Sequence, residues 1–207
     1  MAEIFQDKKY HRLFSLQECG FQPHVVPSDV FQPIFGDKLL YITSPMQVIN
    51  HPTIGVYIDG ACPGNGTPAA KGGIGVYFGR NSPYNLSAKV PADEPQTSQR
   101  AEVIAAIRAL EQIEVVNVDE RSFEVFIIVT DSQYLVKSIT KDISRWKTNG
   151  WKTSAGTDVK NKDLWEFLDS RLTILSNQEY GIDVVFWQVD RSETTEANRL
   201  ANLAIAA

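Results

Sequence analysis

The segment FEVFIIV, Phe123–Val129, constrains the fold more than any other stretch of the chain. A short, nearly continuous apolar run reads as a central strand covered on both faces. A sheet built around such a strand needs a layer on each side, so an α/β architecture is expected. IGVYID from Ile54, GGIGVYFG from Gly72 and YNLSAKV from Tyr84 read as three further strands. The loop ACPGNGTPAAKGG is dense in Gly, Pro and Asn, as a connection between antiparallel strands should be. PQTSQRAEVIAAIRALEQI turns helical, with Val103, Ala106, Ile107 and Leu110 on its apolar face and Thr97 or Ser98 as cap. SQYLVKSI is a short helix, and Leu164, Phe167, Leu168, Leu172 and Leu175 mark another. IDVVFWQV is a last strand. TTEANRLANLA closes the chain as a helix, with Ala197, Leu200, Ala201 and Ala204 at one-face spacing. The expected order is βββαβα, a basic segment, then αβα: a mixed five-stranded sheet flanked by helices, with the first three strands antiparallel.

Residues 1–52 differ from the rest. They carry Pro23, Pro27, Pro33, Pro45 and Pro52 and show no sustained period. A stretch of about 50 residues rarely builds a core alone. They are expected to form an N-terminal extension that packs loosely on the domain or wraps it, leaving 53–207 as the domain proper. Hydrophobic content of 43% and charged content of 22% are those of a soluble globular protein. There is no apolar run of about 18 residues, so no membrane partner is expected. The N-terminus lacks an apolar h-region, which points to an intracellular protein. Cys19 and Cys62 are the only cysteines. That excludes a disulfide framework, a zinc cluster and a disulfide-linked partner, and a monomer in a reducing setting is expected. Net charge is −5, so nucleic-acid binding would need a local basic patch.

Three acids occupy telling places. Asp59 ends the first strand, Glu102 lies in the first turns of a helix, and Asp131 ends the central strand. Acids so placed can converge at one edge of a sheet, where α/β ligand sites lie. Clustered carboxylates repel each other unless a cation neutralises them. Hard divalent ions suit an all-oxygen site. Two such ions, roughly 3.5–4 Å apart, can activate a water and stabilise a leaving oxygen in phosphodiester cleavage. An Asp after a strand also serves as a turn residue or a helix cap, and spacing alone leaves both readings open.

The motifs YIDGA, GGIGVYFG, TSQRAE, VTDSQY and WKTNGWKTSAGTDVKNKDLW follow one another in an order that resembles the type 1 ribonuclease H domain, from about Val56 to Ala204. The resemblance implies endonucleolytic hydrolysis of the RNA strand of RNA/DNA hybrids with two Mg²⁺ or Mn²⁺ ions. It places Asp59, Glu102 and Asp131 on the first three catalytic carboxylates. Gly60, Asn65, Ser98 and Gln99 fall where the family contacts the RNA strand. Trp146 and Ser154 match positions lining the DNA-strand channel, and Thr97 and Asn161 match two donors of the DNA-phosphate pocket. Short polar side chains suit an A-like hybrid, which exposes 2′-hydroxyls in a wide, shallow minor groove. Lys137, Lys141, Arg145, Lys147, Lys152, Lys160 and Lys162 form a basic stripe against only Asp142 and Asp158 within the same stretch. Lys147 and Lys152 are taken as backbone contacts. Trp151 and Trp165 read as packing residues.

The chain also departs from the family pattern. Pro95 stands where many relatives carry a basic residue of the phosphate pocket, and Asp142 where many carry a second channel tryptophan. The loop QVDRSETTEAN has no histidine and resembles the histidine-free branch of the family. Aligned so, Asn198 replaces the fourth catalytic Asp; a second register puts Asn202 there instead. Either way the expected acid is an amide, which can ligate a hard cation but adds no negative charge. Reduced activity is therefore expected. The competing readings are a hybrid-binding module that does not cut, and a nuclease with another substrate such as duplex RNA.

Overall fold

The computed structural model describes residues 12–17, 19–42, 52–120, 123–177 and 180–206. His11, His51 and part of the N-terminal extension lie outside them. In chain order the elements are α1 (Pro27–Val30), β1 (Phe31–Ile34), β2 (Leu39–Ile42), β3 (Thr53–Ala61), β4 (Gly73–Tyr77), β5 (Leu86–Lys89), α2 (Ser98–Glu120) and β6 (Val125–Thr130). Then come α3 (Gln133–Lys137), a π-helical turn (Ser138–Asp142), α4 (Ile143–Thr148), α5 (Lys162–Leu175), β7 (Asp183–Gln188), a 3₁₀ turn (Arg191–Thr194) and α6 (Thr195–Ala206).

The apolar run is the central strand expected of it. Every residue of β6 is buried. It pairs parallel to β3 on one side and to β7 on the other. β3 pairs antiparallel with β4, and β4 with β5. The five-stranded mixed sheet thus runs β5-β4-β3-β6-β7. Phe126 and Ile128 point into the main core under α2 and α5, whereas Val125, Ile127 and Val129 point into a second core on the opposite face.

That second core explains why β6 is apolar on both sides, and the extension builds half of it. Phe14, Phe21, Val30, Phe31 and Ile42 cover Val125, Ile127, Val129, Val185 and Trp187. Two strands beyond the expected five carry this cover. β1 and β2 pair antiparallel, and β2 pairs antiparallel with β3 at Leu40↔Gly55 and Tyr41↔Ile54. β2 therefore shares one edge of β3 with β4, each taking a different part of its length. Four-residue strands are too short to show a period, and Pro33 argues against a strand except at an edge, which is where β1 lies. A Cβ on Gly55 would fall 2.6 Å from the Phe31 ring, so the glycine lets the extension lie flat on the sheet.

The rest of that face belongs to α6. Ala197, Leu200, Ala201 and Ala204 are buried as the helical spacing predicts. They pack against β4, where a Cβ on Gly73 would fall 2.1 Å from the Ala201 carbonyl oxygen and one on Gly75 would fall 1.9 Å from that of Ala197. The two glycines bring the helix into backbone contact with the sheet.

Candidate active site

β3 and β6 are parallel neighbours, so their C-terminal ends open at one edge of the sheet. Asp59 sits near the end of β3, opposite Gly75 of β4. Asp131 directly follows β6. Glu102 is in the first turns of α2, which Thr97 caps by accepting the Arg100 amide at 3.2 Å. Gly60 sets how close that helix comes: a Cβ there would lie 2.4 Å from the Glu102 amide nitrogen. Strand alternation turns Gly60 towards α2 and Asp59 towards α6.

Each acid is engaged by a neighbour of its own. Asn198 Nδ2 donates to Asp59 Oδ2 at 2.5 Å. Ser132 Oγ donates to Glu102 Oε2 and also caps α3 by accepting the Leu135 amide at 3.1 Å. Arg191 NH1 lies 3.6 Å from Asp131 Oδ2. Of the two asparagines, Asn198 is the one that reaches Asp59, while Asn202 donates back to Asn198 Oδ1 at 3.1 Å. Ser132 and Arg191 were not singled out by the sequence. Ser132 reads there as an ordinary cap, and Arg191 reaches the site only through the 3₁₀ turn.

Burial pushes the Asp59 carboxyl up, against the bond donated by Asn198 and with the charge of Asp131. Glu102 is pushed up to about 7, mainly by burial; Ser132 opposes this and the charges of Asp131 and Asp59 add to it. The three acids are thus one electrostatic unit with surplus negative charge. Their donor set is all oxygen and suits a hard divalent cation. As the side chains stand, no three His, Cys, Asp or Glu groups among the described residues close around a common point. The acids are instead engaged with Asn198, Ser132 and Arg191.

Glu102 makes the metal-free fold pH-dependent. A folded-state pKa above the ordinary 4.5 means that the native state holds the proton more tightly. Its stabilising effect is full below about pH 4.5 and is lost as pH rises through about 7. Glu102→Gln should therefore stabilise the metal-free protein at neutral pH, by up to about 3 kcal/mol, and flatten the fall between those limits. Urea denaturation across that window checks this. An unchanged slope in the variant would contradict it.

The nucleic-acid contacts expected from sequence are gathered in part. Asn65 Oδ1 accepts the Ser98 amide at 3.4 Å, which brings the exposed tip of the β3–β4 loop to the start of α2, beside the exposed Gln99. Thr97 and Asn161 meet around Arg100, whose NH1 donates to Asn161 Oδ1 at 3.3 Å. Arg100 is buried and also pairs with Glu94 and with Asp163, the latter at 2.5 Å. Sequence reasoning passed over it because an arginine in a helix reads as surface. Asn161 adopts a left-handed φ of 57° and donates from Nδ2 to the Tyr134 hydroxyl at 3.4 Å. Ser154 is exposed in a turn closed by Thr153 and Thr157.

Two expectations are modified. The Trp146 ring is buried against Trp151 and Trp165, so it anchors the basic segment to the core and offers no open face. The basic stripe is more neutralised than its own sequence suggests, because α5 supplies further acids from outside it. Lys147 pairs with Asp169 at 2.6 Å, Lys152 with Asp158 at 2.6 Å and Lys162 with Glu166 at 3.7 Å. Asp142 takes Arg145 at 2.8 Å and Lys137 at 3.9 Å. Exposed pairs of this kind are worth about 0–1 kcal/mol, so phosphates can displace them.

The fold is that of ribonuclease-H-like proteins. It superposes on LC9-RNase H1, a type 1 RNase H with the type 2 active-site motif, with a TM-score of 0.53 at 23% identity, over 75% of this chain and 73% of that one. It superposes equally, at 19% identity, on a foamy viral protease–reverse transcriptase in complex with dsDNA, over 72% of this chain and 92% of that one. The RNase H family model matches residues 51–180. Ribonuclease H of Francisella tularensis subsp. novicida (strain U112) is 39% identical over 153 residues, which cover 72% of this chain and 89% of that protein. Ribonuclease H1 of Homo sapiens is 39% identical over 150 residues, 70% of this chain and 48% of that protein. The chain belongs to the RNase H family and carries a type 1 domain. Its family depends generally on divalent metal ions. The chain spans about half the length, or less, of the mammalian relatives it matches. The family match ends before β7 and α6, so the place of Asn198 rests on geometry.

Proposed function

We propose that the domain hydrolyses the RNA strand of RNA/DNA hybrids with two Mg²⁺ or Mn²⁺ ions, at a rate reduced by the amide at position 198. We further infer that it works as a monomer in an intracellular, reducing setting and belongs to the histidine-free branch of its family. The observation that carries the reading is the convergence of Asp59, Glu102 and Asp131 at one sheet edge, where Asp59 and Glu102 have raised proton affinities. When bound, the ions lower the pKa of the attacking water and stabilise the leaving oxygen. The chain's own part is to hold the substrate and the charge. Asp59, Glu102 and Asp131 supply hard oxygen donors. Asn65 of the β3–β4 loop, with Ser98 and Gln99 at the start of α2, faces the minor groove and tests for 2′-hydroxyls. Thr97 and Asn161 orient the DNA strand through its phosphates, and Lys147 and Lys152 exchange their carboxylate partners for backbone phosphates.

Asn198 holds its amide nitrogen towards Asp59, and the bond from Asn202 to its oxygen favours that orientation. It therefore steadies Asp59 as a donor and brings no charge of its own. Asn198→Asp is expected to tighten metal binding and raise hybrid cleavage by about tenfold or more. Equal metal affinity and equal cleavage in both proteins would return Asn198 to an ordinary helix-surface amide. A second reading, a hybrid-binding module that does not cut, is favoured by the engagement of all three acids with side-chain partners. Tight hybrid binding that survives chelator treatment, without turnover, would decide for it.

A further inference from the structure

On the α6 face of the sheet lies a cavity of about 390 Å³ whose lining includes none of Asp59, Glu102, Asp131 and Asn198. Tyr57 is two residues before Asp59 on the same strand and face, so the cavity begins one side chain away from the acids. Its walls are aromatic and come from three places. Tyr57 and Tyr77 are cross-strand partners on β3 and β4, with ring centroids 6.2 Å apart at 70°. Phe31, from the extension, stands 6.1 Å from Tyr57 at 69°. The Tyr57 ring thus packs edge-on with both of the others. Its rim is acidic: Glu193 from the 3₁₀ turn and Glu196 from the first turn of α6 line the same space.

Three polar groups of this cavity are unspent. Among the described residues, Glu193 makes no side-chain hydrogen bond or ion pair, and neither the Tyr57 nor the Tyr77 hydroxyl has a hydrogen-bond partner. Glu196 is held only from outside, by Arg199 Nε at 3.0 Å. The negative charges act on the rings. Burial and then Glu196 raise the Tyr77 phenol, against the opposing charges of Arg80 and Arg199.

We propose that this cavity binds the alkylammonium group of an organic cation, with Phe31, Tyr57 and Tyr77 around its methylene or methyl shell and Glu193 opposite its charge. Aromatic faces attract such cations, the more so where the cation is partly desolvated. The unpaired Glu193 disfavours an anionic ligand, whereas the charge of Glu196 is already offset by Arg199. A neutral apolar ligand would leave Glu193 unbalanced. The volume lies near the lower end of ligand pockets, roughly 300–1,000 Å³, and suits one small head group. The extension is part of the site, since it supplies the Phe31 wall.

The proposal is independent of the nuclease reading and is tested on the metal-free full chain. The chain is titrated at constant ionic strength with choline, with N-acetyl-lysine methylamide, and with 3,3-dimethylbutanol, the uncharged counterpart of choline. Backbone amide shifts at Ser192–Glu196 report binding. Saturable shifts are expected with at least one cation, about tenfold tighter than with the alcohol. The stronger of the two cations identifies the source as a free quaternary ammonium or a lysine side chain. Glu193→Gln and Tyr77→Leu should each weaken binding by about tenfold. Should Tyr77→Leu loosen the sheet, Glu193→Gln on the surface turn keeps the test decisive. Absence of saturable binding by either cation, equal binding of the alcohol, or unchanged binding in folded Glu193→Gln would overturn the proposal.

Discussion

Asp131→Asn is expected to abolish hybrid cleavage, a loss on the order of a thousandfold or more in single-turnover rate. The substitution keeps the size of the side chain, and the amide it introduces can still lie beside Arg191. What it removes is one of three clustered negative charges. The loss should appear in chemistry and not in folding. Removing a charge that raises both Asp59 and Glu102 relieves repulsion in the metal-free protein, so the variant should melt no lower than the parent. A thermal melt beside a cleavage time course separates the two effects. A variant that keeps more than about a tenth of the parent rate, a loss worth less than about 1.4 kcal/mol of barrier, would remove Asp131 from the machinery.

Gly75→Ala is expected to destabilise the fold by about 3 kcal/mol or more. The new Cβ would lie 1.9 Å from the Ala197 carbonyl oxygen and 2.7 Å from the Ala201 amide nitrogen. Both are backbone atoms of a helix and cannot swing aside. α6 would have to lift from the sheet. Gly75 is the cross-strand partner of Asp59, and Asn198 follows Ala197, so the same displacement pulls Asn198 away from Asp59. Urea denaturation measures the first consequence, and a loss of metal affinity beyond that of Asn198→Ala measures the second. A destabilisation below about 1 kcal/mol would mean that helix and strand are less tightly apposed than described.

Much of this was legible in the residues. The doubly covered strand at FEVFIIV, the helical spacing in TTEANRLANLA and the acids at strand ends each follow from a local pattern. Those patterns hold because burial on one or both faces is written into every second, third or fourth residue. The two strands of the extension were not legible, since four-residue strands have no period and Pro33 reads as a break. Yet β6 already carried the hint: a strand apolar on both faces needs cover on both, and the extension supplies it. The neighbours of the acids were hidden for a different reason. Ser132, Arg100 and Arg191 are a cap, a helix residue and a turn residue by local grammar, and only the tertiary fold brings Ser132 and Arg191 to the carboxylates and Arg100 to Asn161. Trp146 shows the converse. Its motif implied a contact surface, but the packing of three tryptophans encloses it. The basic stripe looked freer in sequence than in space because Glu166 and Asp169 lie outside it along the chain and beside it in the fold.

The most direct test is strand-resolved cleavage by the unaltered protein. An RNA/DNA hybrid, a duplex RNA and a duplex DNA of one sequence, each labelled on one strand at a time, are incubated with Mg²⁺ or Mn²⁺ and with chelator. Internal cuts confined to the RNA strand of the hybrid, dependent on the metal and absent with chelator, are the expected result. An intact hybrid at millimolar Mn²⁺, or cutting of duplex RNA in preference to the hybrid, would contradict it.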